Sequence, residues 1–114
     1  VDGLFVMAAF LGRRDLPAAI GRAGGLRTWN GELDGADAQD PALWRWLRGR
    51  AELPAPVHPP LWIGYGEDDR FVASNRLIAA TLPPAHVLVT NGGHEWAPWQ
   101  RLWSRFLDAQ PWQA

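Results

Sequence analysis

Residues 61–72 read Leu61-Trp62-Ile63-Gly64-Tyr65-Gly66-Glu67-Asp68-Asp69-Arg70-Phe71-Val72, and this stretch decides the fold class. Its first five residues carry no charge and show no alternation that would mark a solvent-facing side. A short continuous apolar run suits a strand buried on both faces, as in a parallel sheet covered by helices. A glycine and three acids then break the pattern and mark a turn. Beyond them the period changes. Phe71, Val72, Leu77, Ile78 and Leu82 fall largely along one stripe of a helix over 71–82, which Pro83-Pro84 stops.

Toward the C-terminus, His86 to Thr90 (HVLVT) is rich in β-branched residues and predicts a further strand. Asn91-Gly92-Gly93 turns the chain. A last helix over about 98–109 carries Trp99, Leu102, Trp103 and Phe106 at helical spacing, facing the sheet. Toward the N-terminus, the proline-rich run 53–60 forms a connector that cannot be helical. Residues 13–58 show no strand pattern. Asp15-Leu16-Pro17 opens a short helix ended by Gly24-Gly25, Asn30-Gly31 and Asp34-Gly35 mark turns, and Asp40-Pro41 opens a helix to about Arg50. Leu43, Trp44 and Leu47 give that helix its apolar side, with Trp46 as a further candidate. The opening run VDGLFVMAAFL predicts a strand near 3–9, with a short helix at Met7-Ala8-Ala9 as the competing reading.

Strands alternating with helices give an α/β class with about three parallel strands in one domain, 1–114. The first strand begins almost at Val1, so one sheet edge is expected to be bare and the chain reads as the C-terminal part of a larger domain. The expected cover for that edge is the missing N-terminal half or another chain. The formal net charge of −1 offers no attraction for nucleic acid or an anionic membrane. No apolar run is long enough for a membrane span, and no targeting signal is visible, so a cytoplasmic location is the expectation. The absence of cysteine removes disulfides and thiolate chemistry. Every basic residue is Arg, which reads as genomic composition bias.

Ligands of open parallel sheets sit at the carboxyl ends of the strands. Those ends offer Asp69, with Asp68 as the alternative acid, and His94. A carboxylate bonded to one imidazole nitrogen fixes the tautomer and frees the other nitrogen as a general base. Plainer roles exist for each. His94 after Gly92-Gly93 would serve as a loop histidine bonded to backbone, and Asp68 or Asp69 would cap the next helix. His58 and His86 read as surface or packing residues. His86, His94, Glu95 and the aspartates match no metal-ligand spacing, so neither a metal nor another cofactor is expected. Arg45, Arg48 and Arg50 form a solvated face, an anion site there being the minor alternative.

The chain resembles the α/β-hydrolase family over its whole length. Gly66-Glu67-Asp68-Asp69-Arg70-Phe71-Val72 is similar to the family's G-x-x-D-x-x-V, whose acid falls on Asp69, and Gly92-Gly93-His94-Glu95-Trp96 to its G-G-H-x-W. The opening VDGLFVMAAFLG is similar to the strand after the nucleophile helix. The resemblance implies a partial α/β-hydrolase fold, with 13–57 as a short helical lid and 58–114 carrying the acid and histidine motifs. It implies hydrolysis of a small ester or related acyl substrate by the complete protein, with Asp69 and His94 catalytic. Trp44, Trp46 and Trp96 are the candidates for an apolar substrate pocket. The family's G-x-S-x-G elbow is absent: Ser74 and Ser104 lie in predicted helices without flanking glycines. The competing function class is a non-catalytic α/β protein or a small interaction module.

Overall fold

The computed structural model describes residues 3–9, 15–32 and 42–111. The turn expected at Asp34-Gly35 and the helix opening expected at Asp40-Pro41 lie outside them. Three strands, β1 (Leu4–Met7), β2 (Leu61–Gly66) and β3 (Val87–Thr90), form a parallel sheet in the order β1-β2-β3. Leu4 stands opposite Leu61, and Ile63 opposite Val87. Helices α1 (Asp15–Arg22) and α2 (Ala42–Glu52) lie between β1 and β2 in sequence, α3 (Val72–Ala79) between β2 and β3, and α4 (Trp96–Ala109) follows β3. The class is α/β. The competing helical reading of the opening run fails because Leu4 to Met7 pair residue by residue with Leu61 to Gly64.

Element ends shift for local reasons. Helix α3 stops at Ala79, short of Leu82, because the amides of Thr81 and Leu82 bond three residues back, to Ile78 and Ala79. Helix α4 starts two residues before Pro98, which places the proline in the first turn, where its missing N–H is no loss. His86 belongs to a 3₁₀ turn, Pro84–His86, and its Nδ1 sits 2.9 Å from the Leu61 carbonyl oxygen.

The alternation of a strand sorts β2 into two packed faces. Leu61 and Ile63 join Leu16, Ile20, Trp44, Leu47 and Ile78 in one apolar core. On the other face Gly64 lets neighbours close in: a Cβ there would lie 3.1 Å from Phe5 Cζ and 3.3 Å from Leu102 Cδ2. Phe5 stacks on Phe106 at 4.1 Å beside them. All of β2 is buried as a result. Among the described residues, no helix is long and apolar enough to cross a membrane.

The segment 13–57, expected as a lid, is in its described part a packed layer. It supplies Leu16, Ile20, Leu26, Trp29, Trp44 and Leu47 to the core. The arginines expected on a solvated face tie it together. Arg45 Nε donates to the Gly31 carbonyl at 2.7 Å, and Arg48 Nε to that of Trp29 at 2.6 Å.

Candidate active site

Two turns meet at the carboxyl edge of the sheet. The chain leaves β2 through Glu67-Asp68 to reach Asp69, and leaves β3 through Asn91-Gly92-Gly93 to reach His94. The Glu67 amide donates to the Thr90 carbonyl at 2.9 Å and the Asp68 amide to that of Gly92 at 3.0 Å. This approach requires glycine. A Cβ on Gly66 would collide with the Gly92 carbonyl oxygen, and Gly92 itself has φ +103° with Pro98 Cγ 2.6 Å from where its Cβ would be. Arg101 of α4 braces the same turn, its Nη2 donating to the Asn91 carbonyl at 2.8 Å and its Nε to Thr90 Oγ1 at 3.1 Å.

His94 Nδ1 lies 2.9 Å from Asp69 Oδ2. A carboxylate only accepts, so Nδ1 carries the hydrogen and Nε2 is left for other chemistry. Asp69 is 2% exposed. Its second oxygen, Oδ1, accepts the Phe71 amide at 2.7 Å. Both oxygens are therefore engaged, which a shielded carboxylate needs. The same acid serves the helix entrance and the histidine, roles the sequence left divided between Asp68 and Asp69. Asp68 is exposed, and the histidine's partner is Asp69.

Aromatic edges fix the imidazole on two sides. Phe71 meets it at 5.1 Å and Trp99 at 4.8 Å, both nearly perpendicular. The side chain of His94 nevertheless stays 24% exposed, so the site opens to solvent through the histidine and not through the acid.

The expected pocket tryptophans do not gather here. Trp44 is wholly buried in the core, where the packed layer leaves it no opening. Trp46 is exposed, with the Arg50 guanidinium 5.2 Å over its ring. Trp96 is 73% exposed at the first turn of α4 and touches Trp99 edge-on at 5.6 Å. The ring beside His94 is Trp99, one turn further on, because helical side chains lean back toward the N-terminus. Its Nε1 is buried without a hydrogen-bond partner.

Sequence reading also missed Asn75, completely buried in α3. Its Oδ1 accepts the Ala9 amide at 3.0 Å, and its Nδ2 donates to the Phe71 carbonyl at 3.0 Å. This ties the end of β1 to the turn that carries Asp69. A polar residue inside an apolar helical stripe is the signal that marked it. Ser74 is buried within α3 and Ser104 is exposed on α4, so neither stands at a strand end. Among the described residues, no group of three or more His, Asp or Glu side chains is placed to hold a metal ion.

No family model, curated protein or solved structure matches this chain.

Proposed function

We propose that Asp69 and His94 are the acid and base of a serine-hydrolase triad of the α/β-hydrolase type, whose nucleophile lies outside these 114 residues. The observation that carries this reading is the 2.9 Å pairing of His94 Nδ1 with a carboxylate closed off from water. A base oriented this way, at the carboxyl edge of a parallel sheet, has the geometry of an acyl-transfer site. The substrate class is a small ester or related acyl compound.

In this mechanism a serine Oγ–H gives its proton to His94 Nε2 as Oγ bonds to the acyl carbon. The tetrahedral intermediate collapses, and the Nε2 proton passes to the departing alcohol oxygen. Water then repeats the sequence on the acyl-enzyme, giving the free acid and restoring the serine. Asp69 holds the Nδ1–H tautomer and stabilises the imidazolium without taking the proton.

The test uses a protein in which this chain is joined to the segment that carries the proposed nucleophile. A serine-directed phosphonate should label it outside residues 1–114, and His94→Ala should abolish turnover of an activated ester. Full activity after His94→Ala sinks the reading. One observation favours a second class: β1 pairs only with β2 among the described strands, leaving an edge able to take a partner strand. In that reading the Asp69–His94 pair merely fastens two turns, and turnover is absent in every form.

A further inference from the structure

The opposite end of the sheet holds a cavity of about 500 Å³. It lies where β2 and β3 begin, between the end of α2, the proline-rich connector and the 81–86 turn. The six residues of β2 put it roughly 20 Å from Asp69 and His94. Nothing about it rests on the chemistry proposed for that pair.

Its walls are mostly hydrocarbon, with Leu47, Val57, Leu61 and Leu82 among them. Its charges are all of one sign. Arg27 and Arg50 line it, and no carboxylate does so among the described residues. Arg27 is already employed, its Nη1 and Nη2 donating to the carbonyls of Ala80 and Thr81 at 3.2 and 3.4 Å. Arg50 lies over the Trp46 ring, but its Nη1 is enclosed and has no hydrogen-bond partner. Desolvation holds the Arg50 pKa below its ordinary value. A guanidinium presents a fork of donors that matches a carboxylate, and a buried donor without an acceptor is costly. The cavity is within the size range of small-molecule sites, which pair apolar walls with a few placed polar groups.

From this combination we infer that the cavity is a binding site for a carboxylate-headed amphiphile, the anion meeting Arg50 and the hydrocarbon body lying against Leu47, Leu61 and Leu82. The apolar walls select the tail, and the Arg50 guanidinium selects the head.

Octanoate is the probe, titrated into the 114-residue chain by calorimetry, with its contacts read from intermolecular NOEs. The expected result is saturable one-to-one binding, with NOEs from the methylenes to the Leu61 and Leu82 methyls. Arg50→Gln should weaken it by roughly tenfold or more, the scale of one charge-assisted hydrogen bond. Octanol and octyltrimethylammonium should bind more weakly than octanoate by a similar factor. Ala55→Trp, at an exposed position on the cavity wall, should block uptake while the fold is kept. Equal binding of octanol overturns the role of the cation without any variant. Equal binding of inorganic phosphate overturns the role of the walls, and NOEs confined to α4 overturn the location. None of these failures touches the triad reading, which is judged by the pairing of His94 and by turnover.

Discussion

At the residue scale, the pairing of His94 with Asp69 makes a prediction that needs no substrate. With Nδ1 donating to Oδ2, the imidazole nitrogen spectrum of this chain should show a protonated Nδ1 with a hydrogen-bonded, downfield proton. Asp69→Asn offers an amide in place of one oxygen and should move the population toward the other tautomer. Under the triad proposal, the same substitution in a protein that also carries the nucleophile should slow acyl hydrolysis by up to ~10⁴-fold while leaving the fold intact. An unchanged tautomer in Asp69→Asn would show that the pair does not orient the ring. Asn75 carries the second residue-scale prediction. Replacement by Leu strands the Ala9 amide, which is buried and has Asn75 Oδ1 as its acceptor. Asn75→Leu should cost about 1–3 kcal/mol in urea unfolding, the penalty of an orphaned buried donor. The acid and the histidine were legible in the sequence because their turns interrupt apolar runs with glycines and charge. The partners of Asn75 and Trp99 were not, because a polar residue on an apolar stripe and an aromatic on a helix face signal burial without showing what each touches.

At the element scale, the decisive contact is between the end of β2 and the turn after β3. Gly66 has no room for a methyl group against the Gly92 carbonyl, so the two turns are held together by the absence of a side chain. Gly66→Ala must push them apart, breaking the Asp68 amide bond to Gly92 and moving Asp69 away from His94. The expected cost is about 1–3 kcal/mol from overpacking. The hydrogen-bonded Nδ1 proton should be lost along with it. Retention of that proton in a folded Gly66→Ala chain would mean that the glycine is not what positions the pair. Strand β2 was readable because burial on both faces erases the polar half of the β pattern, and β3 because β-branched residues are enriched in it. Helix ends were less so. The 3₁₀ bonds at Thr81 and Leu82 and the early start of α4 at Trp96 depend on how each terminal amide is satisfied, which periodicity does not register.

At the scale of the whole molecule, the question is what the helical segment before residue 58 is for. A lid rests on a finished core and can be removed. Here six of the core residues, Leu16, Ile20, Leu26, Trp29, Trp44 and Leu47, come from that segment, and they pack with Leu61, Ile63 and Ile78 in one cluster on one face of the sheet. The turns, prolines and arginines of residues 13–58 hid this because they look like surface, and the lid reading of 13–57 came from the family resemblance. What decides otherwise is tertiary: the Arg45 and Arg48 bonds fold the 29–31 loop against α2, which allows Trp29 and Trp44 to be buried together. A chain reduced to residues 58–114 keeps β2, β3, α3, α4 and the Asp69–His94 turns, yet loses β1 and most of the apolar core on one face. Burying a Leu-sized side chain contributes about 1.5–3 kcal/mol, so the loss of six such residues, about 9–18 kcal/mol, is as large as the usual 5–15 kcal/mol stability of a domain. The truncated chain should therefore show no cooperative transition in thermal or urea unfolding, and its His94 Nδ1 proton should exchange too fast to observe. The 114-residue chain should unfold in one step with that proton protected until the transition. A cooperative transition in residues 58–114 would return the helical segment to the status of a lid.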